Sequence, residues 1–205
     1  MARIGLICAL RMELPQGLPF RLSRGLISYR KNGNALGVMV SGAGYRNAEQ
    51  ATALLCRNFR PDYLLMLGFC GGIDPAIPIG TLVIADRIFY NDEEEHTHAA
   101  VNEYIRALLR KAGVQHHIGA YQTFDFPVLS TGHIQKKIKA VDMESFAVAR
   151  TARQHGIQAA IIKSVSDIVP EKPFPLFPVM RLQLSIAKNI FKARKGLNTL
   201  AKHWF

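Results

Sequence analysis

Short apolar runs rich in β-branched residues alternate with amphipathic helical patterns along most of this chain, and that alternation is the strongest limit on its fold. The runs fall at residues 4–10, 35–40, 63–67, 81–84, 118–123 and 159–165, and the helical patterns at about 48–58, 101–112, 144–155 and 179–205. Short, continuously apolar runs bounded by turn residues are the mark of strands buried on both faces. Separated by helices, they predict an α/β fold of three layers, a mostly parallel mixed central sheet flanked by helices. At 205 residues and 49% hydrophobic content the chain can bury one sizeable core. We read residues 1–205 as one domain.

In such folds ligands collect at the carboxyl ends of the strands. Glu13 follows the first run, SGAG (41–44) the second, GFCGG (68–72) the third, and Ser166 with Asp167 the last. Glycine turns admit a ligand close to the backbone, and a following helix start can offer N–H groups to an oxyanion. Neither cluster is GxGxxG or a P-loop, which argues against a dinucleotide or a triphosphate. In AVDMES (140–145), Asp142 and Glu144 flank Met143 where a helix is predicted to begin. Acids there gain from the helix macrodipole, and Asp167 could cap a turn, so a structural reading stands beside a catalytic one for each.

The ordered set LICALRMEL, SGAG, LLMLGFCGGIDPAIPIGTLVIAD, AVDMESFAVARTA and IIKSVSDIV spans roughly residues 4–170. It resembles the nucleoside phosphorylase and nucleosidase superfamily, in particular the methylthioadenosine/S-adenosylhomocysteine nucleosidases. VDMES with GGIDP in a short chain looks most like the hopanoid-associated branch, which is taken to remove adenine from adenosylhopane. The resemblance implies the nucleoside phosphorylase type of fold and cleavage of the N-glycosidic bond of an adenosine-containing substrate, releasing adenine. It implies a homodimer or higher homo-oligomer, with no cofactor and no metal.

Residue by residue, the resemblance gives Asp167 the role of acid toward N7 of the departing purine, with Ser166 orienting it. Glu144, with the Met143 backbone, matches the carboxylate that holds the ribose hydroxyls, and Glu13 matches the one that activates water. Phe69, Cys70, Gly71, Gly44 and Lys163 complete the implied substrate-binding set. The chemistry calls for these residue types. Cleavage passes through an oxocarbenium-like state that nearby carboxylates stabilise, and the base leaves once it is protonated. Asp142 matches no ligand position and is expected to play a supporting, structural part.

Some departures bear on the reaction. Where the family's phosphorylases carry an RxGSxG-like phosphate cradle, this chain has Met66 and Phe69 in place of the arginine and the serine. That favours hydrolysis over phosphorolysis, although Arg46, with Arg21 or Arg24, could still form an anion site for inorganic phosphate as co-substrate. Lys163 stands where the nucleosidases often have arginine. The stretch 90–105 is shorter than in the soluble nucleosidases, which would open the site toward a bulky 5′ group. A third reading is a noncatalytic protein that binds nucleosides or an anionic surface.

The net charge of +11 implies attraction to something anionic. It concentrates at the end, where Lys172, Arg181, Lys188, Lys192, Arg194, Lys195 and Lys202 follow Glu171 with no further acid. In the last helix, Val179, Leu182, Ile186, Ile190, Ala193, Leu197, Leu200 and Trp204 form one face and the lysines another. The plain reading is a helix packed on the sheet with its lysines in solvent. The sharper one is peripheral contact with an anionic membrane through residues 172–205, KPFPLFP (172–178) touching the acyl boundary. No motif for specific nucleic-acid recognition is present. Histidines in DEEEHTH (92–98), taken as a charged loop, lack the further ligands a metal would need. The odd and scattered Cys8, Cys56 and Cys70 predict reduced core thiols. The first apolar run is too short to span a bilayer and has no small-residue cleavage site after it, so we expect a cytoplasmic protein.

Overall fold

The computed structural model describes residues 2–16, 18, 26–31, 33–132, 134–172 and 178–204, with the side chains of 31, 178–187 and 204 left aside. Arg21, Arg24, Phe174 and Phe177 lie outside the described residues. The strands are β1 (Arg3–Cys8), β2 (Ile27–Lys31), β3 (Asn34–Val40), β4 (Tyr63–Gly72), β5 (Leu82–Tyr90), β6 (Glu93–His96), β7 (His116–Thr123), β8 (Ile138–Asp142) and β9 (Gln158–Ile168). The helices are α1 (Tyr45–Phe59), α2 (Ala99–Lys111), α3 (Ser145–Gln154) and α4 (Pro178–Trp204).

All the strands join one nine-stranded mixed sheet. β3, β1, β4 and β9 run parallel in that order, and β5, β7 and β8 form a second parallel set. The sets meet through antiparallel pairs, β4 with β8 and β5 with β9. The circuit β4–β8–β7–β5–β9 therefore closes on itself, which draws the carboxyl ends of β4, β8 and β9 around one point. Alternation along the strands feeds two cores. Ile7, Leu64 and Met66 face α1 and α3, where Leu55, Phe59, Phe146 and Val148 meet them. Leu6, Leu65 and Leu67 face α2 and α4, where Ile105, Leu109, Leu197 and Leu200 meet them. This is the three-layer arrangement the sequence predicts.

The structure departs from the sequence reading in several places. β4 and β9 run on through GFCGG and through Ser166–Asp167, so these are strand residues rather than turns that follow strands. DEEEHTH is not a loop: Glu93–His96 is an edge strand on β5, and His98 Nδ1 accepts the Val101 N–H at the start of α2. His116 and His117, also read as loop, open β7. Among the described residues, no group of three or more His, Cys, Asp or Glu side chains gathers as a metal cage, and no helix is long and apolar enough to cross a membrane.

Candidate active site

A cavity of about 230 Å³ opens where β4, β8 and β9 end. Glu13, Glu144, Ser166 and Asp167 line it together with Phe69, Cys70, Gly71 and Met143. The geometry thus brings the predicted acids to one place. Gly44, Arg46 and Lys163 are not on its wall, where Ala43 stands instead. Arg46 is exposed on the first turn of α1.

Glu13 arrives on a short 3-10 turn, Arg11–Glu13, directly after β1. Its Oε2 accepts the Leu10 N–H at 2.8 Å and its Oε1 the Phe69 N–H at 2.9 Å. Gly68 leaves the room for this approach, since a Cβ there would stand 3.0 Å from Oε1 and 3.1 Å from the carboxyl carbon. Burial pushes the Glu13 pKa up to about 7, against the pull of the Lys163 charge and the two N–H donors.

Glu144 stands at the N-cap of α3, but its side chain makes no capping hydrogen bond. Its Oε1 accepts the Gly44 N–H at 2.9 Å, at the start of α1, and its Oε2 accepts from Lys163 Nζ at 2.9 Å. Gly44 has φ of 95°, a left-handed conformation that glycine adopts without strain. Capping of α3 falls to Asp142, the last residue of β8. Its carboxylate accepts the Ser145 N–H at 3.1 Å and the Ser145 and Thr123 hydroxyls, the latter at 2.8 Å, and pairs with Lys163 at 2.5 Å. The helix-end role weighed for Glu144 therefore belongs to Asp142.

Lys163 is 0% exposed, in the middle of β9, and pairs with both acids. Burial alone would lower its pKa, but Asp142, Glu144 and Glu13 outweigh that and hold the ammonium above its ordinary value. It stands behind the carboxylates, so its place is that of a support and not of a wall residue. Its charge is committed before any ligand arrives.

Ser166 and Asp167 are adjacent on one strand and would ordinarily face opposite sides of the sheet. Between Cys70 and Gly71 the β4–β9 register shifts, with Val165 opposite Cys70 and Asp167 opposite Gly71, so Ser166 is the extra residue of a bulge. Both side chains then reach the cavity. The Ser166 hydroxyl donates to Asp167 Oδ1 at 2.7 Å, leaving Oδ2 for a ligand. Burial raises the Asp167 pKa while the Ser166 hydrogen bond opposes it, so this acid keeps its proton to higher pH than an exposed one. Cys8 and Cys70 are buried thiols with pKa values pushed up by burial, which makes them poor nucleophiles.

The sequence reading omitted the facing wall of Phe126, Pro127 and Val128, and Val141 and Val169 beside Asp167. The signal available was FDFP (124–127), an aromatic and proline segment after β7 at the same end of the sheet as the other elements.

The Phosphorylase superfamily model matches residues 3–175. The 5′-methylthioadenosine/S-adenosylhomocysteine nucleosidase of Marinomonas sp. (strain MWYL1) is 29% identical over 163 residues, covering 68% of this chain and 71% of that protein. Its namesake in Geobacillus thermodenitrificans (strain NG80-2) is 28% identical over 159 residues, covering 66% and 67%. Among solved structures, the Neisseria meningitidis nucleosidase of that name, in complex with methylthio-immucillin-A, superposes with a TM-score of 0.82 at 21% identity, covering 99% of this chain and 98% of that one. The futalosine hydrolase of Helicobacter pylori strain 26695 does so with 0.82 at 18% identity, covering 98% and 97%. The two solved structures share the fold of this chain. With its match running from β1 past the end of β9, the chain belongs to the phosphorylase superfamily.

Proposed function

We propose that this chain is a nucleosidase that hydrolyses the N-glycosidic bond of an adenosine-containing substrate and releases adenine. The observation that carries this reading is the convergence of Asp167, Glu144 and Glu13 on one cavity. Asp167, whose pKa is raised by burial, delivers a proton to N7 of the purine as the C1′–N9 bond breaks. Glu144, held from behind by Lys163 and Gly44, receives the ribose hydroxyls and stabilises the positive charge growing on the sugar. Glu13, fixed by two backbone N–H groups, takes a proton from the water whose oxygen bonds to C1′. The products are adenine and the free sugar, with Asp167 left ionised and Glu13 protonated.

Charge supports hydrolysis over phosphorolysis. A phosphate dianion would enter beside Glu13, Glu144 and Asp142, and among the described residues the buried cation there, Lys163, is already shared between two of them. Arg46 is off the cavity wall. The shortness of the stretch 90–105 that the sequence resemblance implies favours a bulky 5′ substituent, and adenosylhopane is the candidate of that class. We take the enzyme to act as a homo-oligomer without metal or cofactor.

The test is a product assay on adenosine, methylthioadenosine and adenosylhopane, with and without inorganic phosphate. Adenine and free sugar in phosphate-free buffer are expected. A sugar 1-phosphate formed only with phosphate would make it a phosphorylase. No adenine from any substrate, together with an Asp167→Asn variant that matches the wild type in nucleoside binding, would make it a noncatalytic binder.

A further inference from the structure

Among the described side chains, helix α4 between residues 188 and 203 is covered on one flank and exposed on the other. Ala193, Leu197, Leu200 and Ala201 are buried, and Gly196 rests against Leu82 of β5. On the other flank Lys188, Phe191, Lys192, Lys195 and Lys202 are all exposed. Spacings of three, four and seven residues put them on one stripe, and residues 188–202 extend about 21 Å along the axis. Phe191 keeps 81% of its surface in solvent, more than any other large hydrophobic side chain among the described residues. No acid follows Glu171 in the chain. Among the described residues none of these lysines enters an ion pair.

Lysines alone would make an ordinary solvated face. An exposed aromatic ring within a cationic stripe suits a partner that accepts both groups. The phosphates of duplex nucleic acid would take the lysines but leave the ring against a charged backbone. A lipid surface offers phosphates at one depth and hydrocarbon a few ångströms deeper, which matches long lysine stems around a shorter apolar side chain. We propose that this face of α4 docks on an anionic lipid surface, with Lys188, Lys192, Lys195 and Lys202 among the headgroups and Phe191 at the acyl boundary. The apolar anchor is thereby placed on the lysine face of the helix itself. Docking of this kind is peripheral and reversed by salt. It does not depend on the reaction proposed above.

Flotation with phosphatidylcholine vesicles, with and without phosphatidylserine, tests it. The wild-type chain is expected to bind vesicles containing phosphatidylserine at low salt and to leave them at high salt. Replacing the four lysines together by glutamine should lower the partition coefficient by roughly a hundredfold or more. Phe191→Ser should lower it by about tenfold. Both variants should keep the wild-type circular dichroism and the wild-type turnover of methylthioadenosine, so that failure to dock and failure to catalyse are read separately. The proposal is overturned if the wild type ignores anionic vesicles, if either variant partitions like the wild type, or if the wild type prefers mixed-sequence duplex DNA to the vesicles at the same ionic strength.

Discussion

Lys163 Nζ lies 2.9 Å from Glu144 Oε2, and the lysine has no surface in contact with solvent. The same ammonium meets Asp142 at 2.5 Å, so one buried cation serves two carboxylates. Taking that cation away leaves two desolvated anions facing each other. Lys163→Met is therefore expected to destabilise the fold by about 3–5 kcal/mol in urea unfolding. A loss below about 1 kcal/mol would mean that the buried ion pair does not hold the fold together.

Glu144→Gln is gentler, because Lys163 keeps Asp142. Stability should fall by about 1–3 kcal/mol, while turnover falls about a hundredfold to a thousandfold, the usual cost of removing one group that stabilises transition-state charge. A large loss of stability with turnover retained would return Glu144 to a purely structural part.

Asp167→Asn removes the proton donor but keeps the shape and the partner of Ser166. Turnover is expected to drop by about 10²–10⁴ with little change in melting temperature. A substrate analogue whose leaving group needs no proton should lose much less, and equal losses on both kinds of substrate would rule out general-acid action at N7.

The pKa of about 7 at Glu13 has consequences of opposite sign for activity and stability. Activity as a base needs the ionised form, so kcat/KM should climb as pH rises through about 7. For stability, the folded pKa lies above the ordinary value of 4.5, so the folded state binds more protons between the two. The contribution is fully present below about 4.5 and is lost as pH rises through 7, on the order of 3 kcal/mol in all. Glu13→Gln should flatten the fall in melting temperature between about pH 5 and 8 and abolish the rising limb of activity. A variant whose melting temperature tracks the wild type at every pH would contradict the buried, proton-binding carboxyl.

Gly68→Ala tests how Glu13 is seated. The new methyl would stand 3.0 Å from Oε1, a tight contact that makes the carboxylate shift by a few tenths of an ångström and disturbs its hydrogen bond from the Phe69 N–H. We expect activity to fall at least tenfold, a shift of about 1.4 kcal/mol or more in the barrier, and the pH midpoint of kcat/KM to move. An unchanged midpoint would show that the carboxylate keeps its place without Gly68.

The strands and helices most visible in the sequence are those whose local pattern and tertiary fate agree. β1, β3, β4 and β9 are apolar because both their faces are covered along most of their length, and α1 to α3 carry stripes that meet the sheet. The elements that were not visible depend on partners. β6 is EEEH, a poor strand former that extends only because it pairs along β5, while Glu95 is satisfied by Arg153 of α3. β8 is IKAVD, too short to declare itself, and is held between β4 and β7. β2 pairs only with β3, at the sheet's edge.

The same division runs through the site. By itself the sequence determined the layered fold and the placing of acids at the strand ends, since buried strands and charged residues at their ends leave a local trace. Only the tertiary structure decided what each acid is packed against. Asp142 and Glu144 are two residues apart, and nothing local separates the one that caps α3 from the one that reaches Gly44. The separation comes from Lys163 on β9 and from the start of α1, both brought in by a sheet that closes on itself. Ser166 and Asp167 share one cavity because a bulge overrides the alternation of the strand. A desolvated charge takes its character from whatever is packed against it, and those neighbours are set by contacts between residues far apart in the chain.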